Sequence, residues 1–313
     1  MGKPMYKEKY VKSSGSGMLH VSIWEPKEQP IGILQIVHGI AEHTRRYDEF
    51  ANFLTEKGLL VVAEDHMGHG QSLTEQESRG YFYGGWFAAV EDTYQLLQGT
   101  KNAYPDIPYI LFGHSMGSFM VRTILEKYPD SGINGCIICG TGWQPSAMLL
   151  AGVGLCKFVC KTNGEQNPSE FLHKVIFGAY NRRVEQPRTA FDWLTRVEDI
   201  VDAYAEDPMC GFIPSAGLLR DMLTGIAYIQ NKENLQMMKK DLPVFLVAGD
   251  DDPVGAYGSG VHKTAEMFVR AGMENVTVRL YSQCRHEILN EINREEIMID
   301  LWNWIDLLLN QTE

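Results

Sequence analysis

The run Gly113-His114-Ser115-Met116-Gly117 sets a hydroxyl between two glycines, directly after the apolar stretch 109–112 and just before a helix-period pattern that starts at Met116. Small residues on both sides let a strand turn sharply into a helix. That turn holds the serine in a strained conformation and lifts its hydroxyl above the sheet edge. The helix that follows points its N-terminal dipole and unbonded N–H groups at developing negative charge. The chemistry this permits is nucleophilic attack by Ser115. A serine hydroxyl is a poor nucleophile on its own, so the chain must also supply a base and a carboxylate that fixes the base's tautomer.

Two late loops carry them. Stretch 244–248 reads as a buried strand and ends in Gly249-Asp250-Asp251-Asp252-Pro253, which brings carboxylates out at the carboxyl end of a sheet. His286 follows the next strand, in Ser282-Gln283-Cys284-Arg285-His286-Glu287, immediately before the final helix. The order Ser, Asp, His along the chain is the one expected for this turn. Other histidines sit in other contexts. His20 alternates in an early strand and is expected at the surface, and His173 and His262 fall in helical contexts. His66 and His69, in Asp65-His66-Met67-Gly68-His69-Gly70-Gln71-Ser72, are expected to form a hydrogen-bonded turn, with metal ligation the weaker reading. His114 should aim away from the hydroxyl. Two N–H donors are needed for an oxyanion. Met116 supplies one, and Ile40 the other, in the loop His38-Gly39-Ile40-Ala41-Glu42-His43, where Gly39 permits the turn. No metal and no cofactor is expected.

The elements that must position these residues follow from periodicity. Stretch 6–24 reads as a hairpin turning at 13–17. Short apolar runs at 33–37, 59–63, 109–112, 133–139, 244–248 and 276–280 then alternate with helical patterns at 47–57, 86–101, 116–128 and 262–271. That alternation predicts an α/β fold with a mostly parallel sheet covered by helices on both faces. A last helix over 291–309 should dock through Ile292, Ile299, Trp302 and Ile305. Residues 142–235 break the rhythm and read as a helical insertion, leaving 1–141 and 236–313 as the core. Within the insertion, 147–156 is apolar and uncharged, yet too short to span a bilayer. Either it packs on the core, or it is a lid whose Leu149 and Leu150 meet an apolar substrate or a membrane surface.

Composition narrows the partners. A chain of 313 residues with 44% hydrophobic residues buries a sizeable core, which excludes global disorder. With 28 basic against 40 acidic residues, net −12, and no basic run, the surface repels phosphate backbones, so no nucleic acid partner is expected. Six cysteines are too few for a disulfide scaffold. Cys136 and Cys139 face opposite sides of a strand, and Cys156 and Cys160 share a helix without His or Asp partners, so buried free thiols are expected. The start of the chain lacks an apolar leader, and Tyr6 stands where myristoylation requires Ser or Thr, so a cytoplasmic location is expected.

These motifs together, with Glu42-His43 and Arg46-Tyr47 after His38-Gly39, resemble the monoacylglycerol lipase and lysophospholipase branch of the α/β-hydrolases. The resemblance spans nearly the whole core in the family's order. It implies Ser115 as nucleophile, Asp252 as the acid, His286 as base, Ile40 and Met116 as oxyanion donors, and a helical cap at 142–235. The implied activity is hydrolysis of carboxylic esters through an acyl-enzyme. The substrate would be a small acyl ester or a monoacyl lipid, and the cap could touch a membrane surface transiently; no protein partner is inferred. A prolyl-aminopeptidase type of peptidase is the alternative, with Glu198, Asp199, Asp202, Glu206 and Asp207 as amine-binding carboxylates, although a solvated helix face explains them better. A dehalogenase would need an aspartate where Ser115 stands. A ligand-binding module without turnover accounts least well for a full set of Ser, Asp and His.

Overall fold

A computed structural model describes residues 5–73 and 79–310. The expectations for a leader and for myristoylation concern the start of the chain, where residues 1–4 lie outside the described residues. Eight strands form one sheet: β1 (Met5–Lys12), β2 (Met18–Glu25), β3 (Gly32–Val37), β4 (Leu59–Glu64), β5 (Tyr109–His114), β6 (Gly135–Cys139), β7 (Val244–Gly249) and β8 (Val276–Tyr281). Their order is β1-β2-β4-β3-β5-β6-β7-β8. The hairpin β1–β2 and the β2–β4 pair are antiparallel, and all other pairs are parallel. Strands β3 to β7 are buried along their whole length, as near-continuous apolar runs require when helices cover both faces.

Helices α1 (Asp48–Glu56), α2 (Trp86–Ala103) and α3 (Met116–Lys127) follow β3, β4 and β5. The insertion between β6 and β7 carries α4 (Ser146–Asn163), α5 (Glu170–Phe177), α6 (Glu198–Glu206), α7 (Ala216–Ile229) and α8 (Lys232–Met237); α9 (Ser259–Arg270) and α10 (Arg294–Asn310) complete the core. One face of the sheet packs on α2, α3 and α9 through Val90, Leu97, Met120, Ile124 and Phe268. The other packs on α1 and α10 through Phe50, Leu54, Ile297, Leu301 and Ile305. Each such side chain, once buried, contributes about 1.5–3 kcal/mol. Cys136 belongs to the first layer and Cys139 to the second, on opposite faces of β6.

Two expectations are corrected. The buried face of α10 is Ile297, Leu301 and Ile305, whereas Ile292 and Ile299 are exposed. Ile292 precedes the first helical residue, so counting from it rotates the predicted face. His20 is not at the surface. β2 lies inside the sheet, and its backbone and ring are held by Ser72 Oγ (2.8 Å) and Asp65 Oδ2 (3.0 Å). Among the described residues of the insertion, the only extended pairing is an isolated bridge between Pro168 and Ser215. The expected boundary at Leu235 falls inside α8, whose Leu235 is packed into the core.

Candidate active site

Ser115 links β5 to α3 at φ 53° and ψ −119°, a conformation that non-glycine residues avoid. The elbow closes because α3 comes very near β3. A Cβ on Gly117 would lie 2.0 Å from the Val37 carbonyl oxygen, so only glycine fits there. The Ser115 N–H donates to the Cys139 carbonyl at 3.0 Å, tying the turn to β6.

The two late loops meet beside it. Asp252 is fully buried; its Oδ1 accepts the Val254 N–H at 2.8 Å, and its Oδ2 lies 3.0 Å from His286 Nδ1. Asp250 instead accepts the Gln283 N–H, and Asp251 is exposed. His286 is buried, and its Nε2 has no hydrogen-bond partner among the described residues. Burial works to lower the pKa of this imidazole, but the Asp252 carboxylate, joined by Glu287 and Glu42, outweighs it, and the net shift is upward. His114, next to Ser115 in sequence, packs against His286. Its ring lies 4.7 Å from that of His286, and burial, reinforced by the neighbouring His286, holds it well below the usual imidazole range.

The loop after β3 reaches the serine through Gly39, where a Cβ would come within 3.1 Å of Ser115 Cβ. Ile40 and Met116 both line the cavity that contains Ser115 and His286. Glu42 stiffens the loop by accepting the Gly39 N–H (2.6 Å), Tyr47 Oη (3.0 Å) and Arg46 Nη1 (2.8 Å). Arg46 also makes two 2.6 Å bonds to Glu287, the neighbour of His286. Burial works to raise the Glu287 pKa, yet the doubly bonded guanidinium brings it down to about 2. For Glu42 burial prevails over the Arg46 charge, the Glu287 carboxylate adds to it, and the shift is upward. This three-residue bridge between the loop after β3 and the loop that carries His286 was not anticipated from the sequence; the pair Glu42 and Arg46, four apart, was its visible sign.

Over the serine lies a cavity of about 540 Å³. The insertion supplies most of its wall, including Leu149 from α4, Phe177, Trp193 and Met222. Leu149 is buried there, whereas Leu150 is 77% exposed and is not part of the wall. The two side chains are one residue apart on a helix and project about 100° from each other. The Trp193 ring lies 5.0 Å from that of His286.

His66 and His69 form the expected hydrogen-bonded turn, His66 Nε2 with the His38 carbonyl at 3.1 Å and His69 Nδ1 with the Met67 carbonyl at 2.9 Å. Among the described residues, His43, Asp207 and Cys210 bring three potential metal-ligating atoms within 4.8 Å of one another. His43 Nε2 and Asp207 Oδ2 are hydrogen bonded at 2.9 Å, which ties the loop after β3 to the turn after α6. The acidic residues of α6 do not converge on the cavity: Glu198 and Asp202 pair with Arg188 outside it.

A family profile described as "Serine aminopeptidase, S33" matches residues 28–293. The chain is 28% identical over 288 residues to the monoacylglycerol lipase of Mycolicibacterium smegmatis, covering 90% of this chain and 91% of that one. It is 39% identical over 294 residues to the monoglyceride lipase of Homo sapiens, covering 92% and 85% respectively. Among solved structures, a thermostable carboxyl esterase from Bacillus coagulans superposes with a TM-score of 0.90 at 31% identity, over 97% of this chain and 99% of that one.

Proposed function

Because this chain belongs to that serine hydrolase family and is an ester-cleaving α/β-hydrolase of its monoacylglycerol lipase-like branch, we propose that it hydrolyses monoacyl lipid esters such as monoacylglycerols or lysophospholipids. In this reading Ser115 Oγ attacks the acyl carbon while His286 Nε2 takes its proton, and the N–H groups of Ile40 and Met116 receive the oxyanion. His286 then protonates the departing alcohol, and water, deprotonated by the same nitrogen, releases the acid. Asp252 holds the tautomer and stabilises the imidazolium. Residues 142–235 act as the cap.

The observation that carries the proposal is His286: its Nε2 is buried without a hydrogen-bond partner among the described residues, its other nitrogen is anchored to Asp252, and the residue lines the same apolar cavity as the strained Ser115. Apolar residues left exposed on the cap, Met148, Leu150, Phe158, Phe171 and Val175, support a transient contact with a lipid surface. Six free cysteines support a reducing, cytoplasmic setting. Among the described residues, no helix is long and apolar enough to cross a membrane.

The family's aminopeptidase description favours a second reading, in which a carboxylate binds a substrate amine. The carboxylates on the cavity wall, Glu42 and Glu287, are both bound to Arg46, which weighs against it. A fluorophosphonate label on Ser115, followed by turnover of p-nitrophenyl esters of rising length, monoacylglycerol, lysophosphatidylcholine and aminoacyl-anilides, tests the proposal. Labelling with turnover of the monoacyl lipids supports it. Turnover of the anilides alone would transfer the site to the peptidase reading.

A further inference from the structure

Arg122 on α3 is among the largest fully buried side chains, and nothing in the proposed reaction uses it. Its Nη1 donates to Thr141 Oγ1 at 3.1 Å and to the Gly142 carbonyl at 3.0 Å, where the chain leaves β6. Thr264 Oγ1, on α9, donates to the same carbonyl at 3.4 Å. Arg122 Nε and Nη2, like both carboxylate oxygens of Glu126 one turn later, have no hydrogen-bond partner among the described residues. A buried guanidinium loses its hydration without full replacement here, so an aliphatic side chain of similar length would serve packing better.

The stretch that Arg122 holds runs beside His286 and against the loop that carries Asp252. A Cβ on Gly142 would lie 2.3 Å from the Val254 carbonyl oxygen, and one on Gly140 would lie 3.0 Å from His286 Cε1. Val254 in turn donates to Asp252, which holds His286. The arginine itself sits two turns into the helix that begins beside Ser115. We infer that Arg122 is a positioning residue for ester hydrolysis: by clamping the Gly142 carbonyl it presses the exit of β6 against the Asp252 loop. Carboxylate, imidazole and nucleophile helix are thereby kept in register. The inference rests on the roles proposed above for Ser115, Asp252 and His286.

Loosening the clamp acts on His286 through Asp252. The charged or titratable groups facing that imidazole are Asp252, Glu287, Glu42 and His114. Asp252 is the largest of the influences that raise its pKa, and burial opposes it, so a drifting carboxylate moves the acid limb of the pH–rate profile to lower pH.

The test measures kcat, KM and the pH profile on a dissolved short ester. For Arg122→Met, kcat is expected to fall roughly 10- to 100-fold with KM within about twofold, as for other displacements transmitted from outside the reacting groups. The acid limb should move down by about half a pH unit or more. Arg122→Lys keeps a donor for the Gly142 carbonyl and should restore most of kcat and the limb. Thr141→Val removes one acceptor and should cost about threefold, with a smaller shift in the same direction. Ile124→Val, on the same helix, is the packing control; it should lower the melting temperature and leave both readouts unchanged. If Arg122→Met does not fold, Thr141→Val and Arg122→Lys decide. A folded Arg122→Met, or in its absence Thr141→Val, with parental kcat and an unmoved limb would overturn the inference. A parental enzyme that takes no fluorophosphonate on Ser115 would instead overturn the assignment beneath it.

Discussion

Two stretches of the same insertion meet the site in different ways. Residues 192–196 bind the loop that carries His286 almost entirely through polar groups. The Leu194 carbonyl accepts the Glu287 N–H at 2.7 Å, and the Trp193 carbonyl accepts the His286 N–H at 3.4 Å. Arg285 Nη1 reaches the carbonyls of Asp192 (2.7 Å) and Thr195 (3.1 Å), and Arg196 Nε pairs with the buried Glu291 at 2.8 Å. Helix α4 has a different relation to the core. It lays Leu149, Cys156 and Val159 into the hydrophobic cluster that includes α7, and leaves Met148, Leu150 and Phe158 exposed. Directional hydrogen bonds fix a geometry, whereas apolar contact fixes a volume. Residues 192–196, a strap against the His286 loop, are therefore expected to govern the chemistry of the core, and α4 the choice of substrate.

The widest separation between the two roles comes from the core itself. Ser115→Ala is expected to fold normally and to lose fluorophosphonate labelling and roughly 10⁵-fold or more of turnover, on short and long esters alike. Parental turnover in that variant would remove the whole assignment. Next come the aspartates. Asp252→Asn places an amide against His286 Nδ1 and favours the wrong tautomer, for a loss of about 10³- to 10⁴-fold. Asp250→Asn keeps an oxygen to accept the Gln283 N–H and should stay near normal. A reversed order would mean that another carboxylate orients the base.

The pH profile separates base from scaffold. In the proposed mechanism only neutral His286 accepts the hydroxyl proton, so kcat/KM should fall on acidification, about tenfold per pH unit below the pKa. Because Asp252 lifts that pKa, the midpoint should lie above the ordinary histidine value of about 6.5. A midpoint well below it, in folded protein, would remove His286 as the base. The strap has a smaller expected effect. Arg285→Ala deletes two bonds to the strap's carbonyls and should lower kcat about tenfold, equally for short and long esters, by loosening the base. A loss confined to long esters would place the strap with α4.

How much of this was legible in the sequence follows from what residue types encode. The strand runs, the elbow and the order Ser, Asp, His were readable because burial and a tight turn demand particular side chains. The strap left no sign, because its acceptors are the carbonyls of Asp192, Trp193, Leu194 and Thr195, which every residue possesses. His20 was misplaced because a sheet buried on both faces abolishes the alternation that usually marks its outside. Arg122, in the middle of an apolar helix, was visible as a residue, but its meaning depended on where Gly142 ends up.

The finest distinction lies within α4, between two adjacent leucines. Leu149→Ala removes cavity wall, and each lost CH₂ contact with an acyl chain is worth about 0.8 kcal/mol. Losing one to two such contacts should lower kcat/KM on long esters about 4- to 15-fold and leave an acetate ester almost unchanged. Leu150→Glu changes a side chain that is already 77% exposed and is not part of that wall. It should leave the melting temperature and the hydrolysis of every dissolved ester at parental values, because no buried contact and no charge near His286 is altered. Its effect should appear only with substrate presented in vesicles. There a carboxylate in place of an exposed leucine weakens apolar contact with the lipid surface and lowers the apparent rate by a few fold at most. If Leu150→Glu instead discriminates between short and long dissolved esters, the chain must leave the cavity past the outer face of α4. A parental rate on vesicles would show that α4 shapes the cavity without touching the surface from which substrate comes.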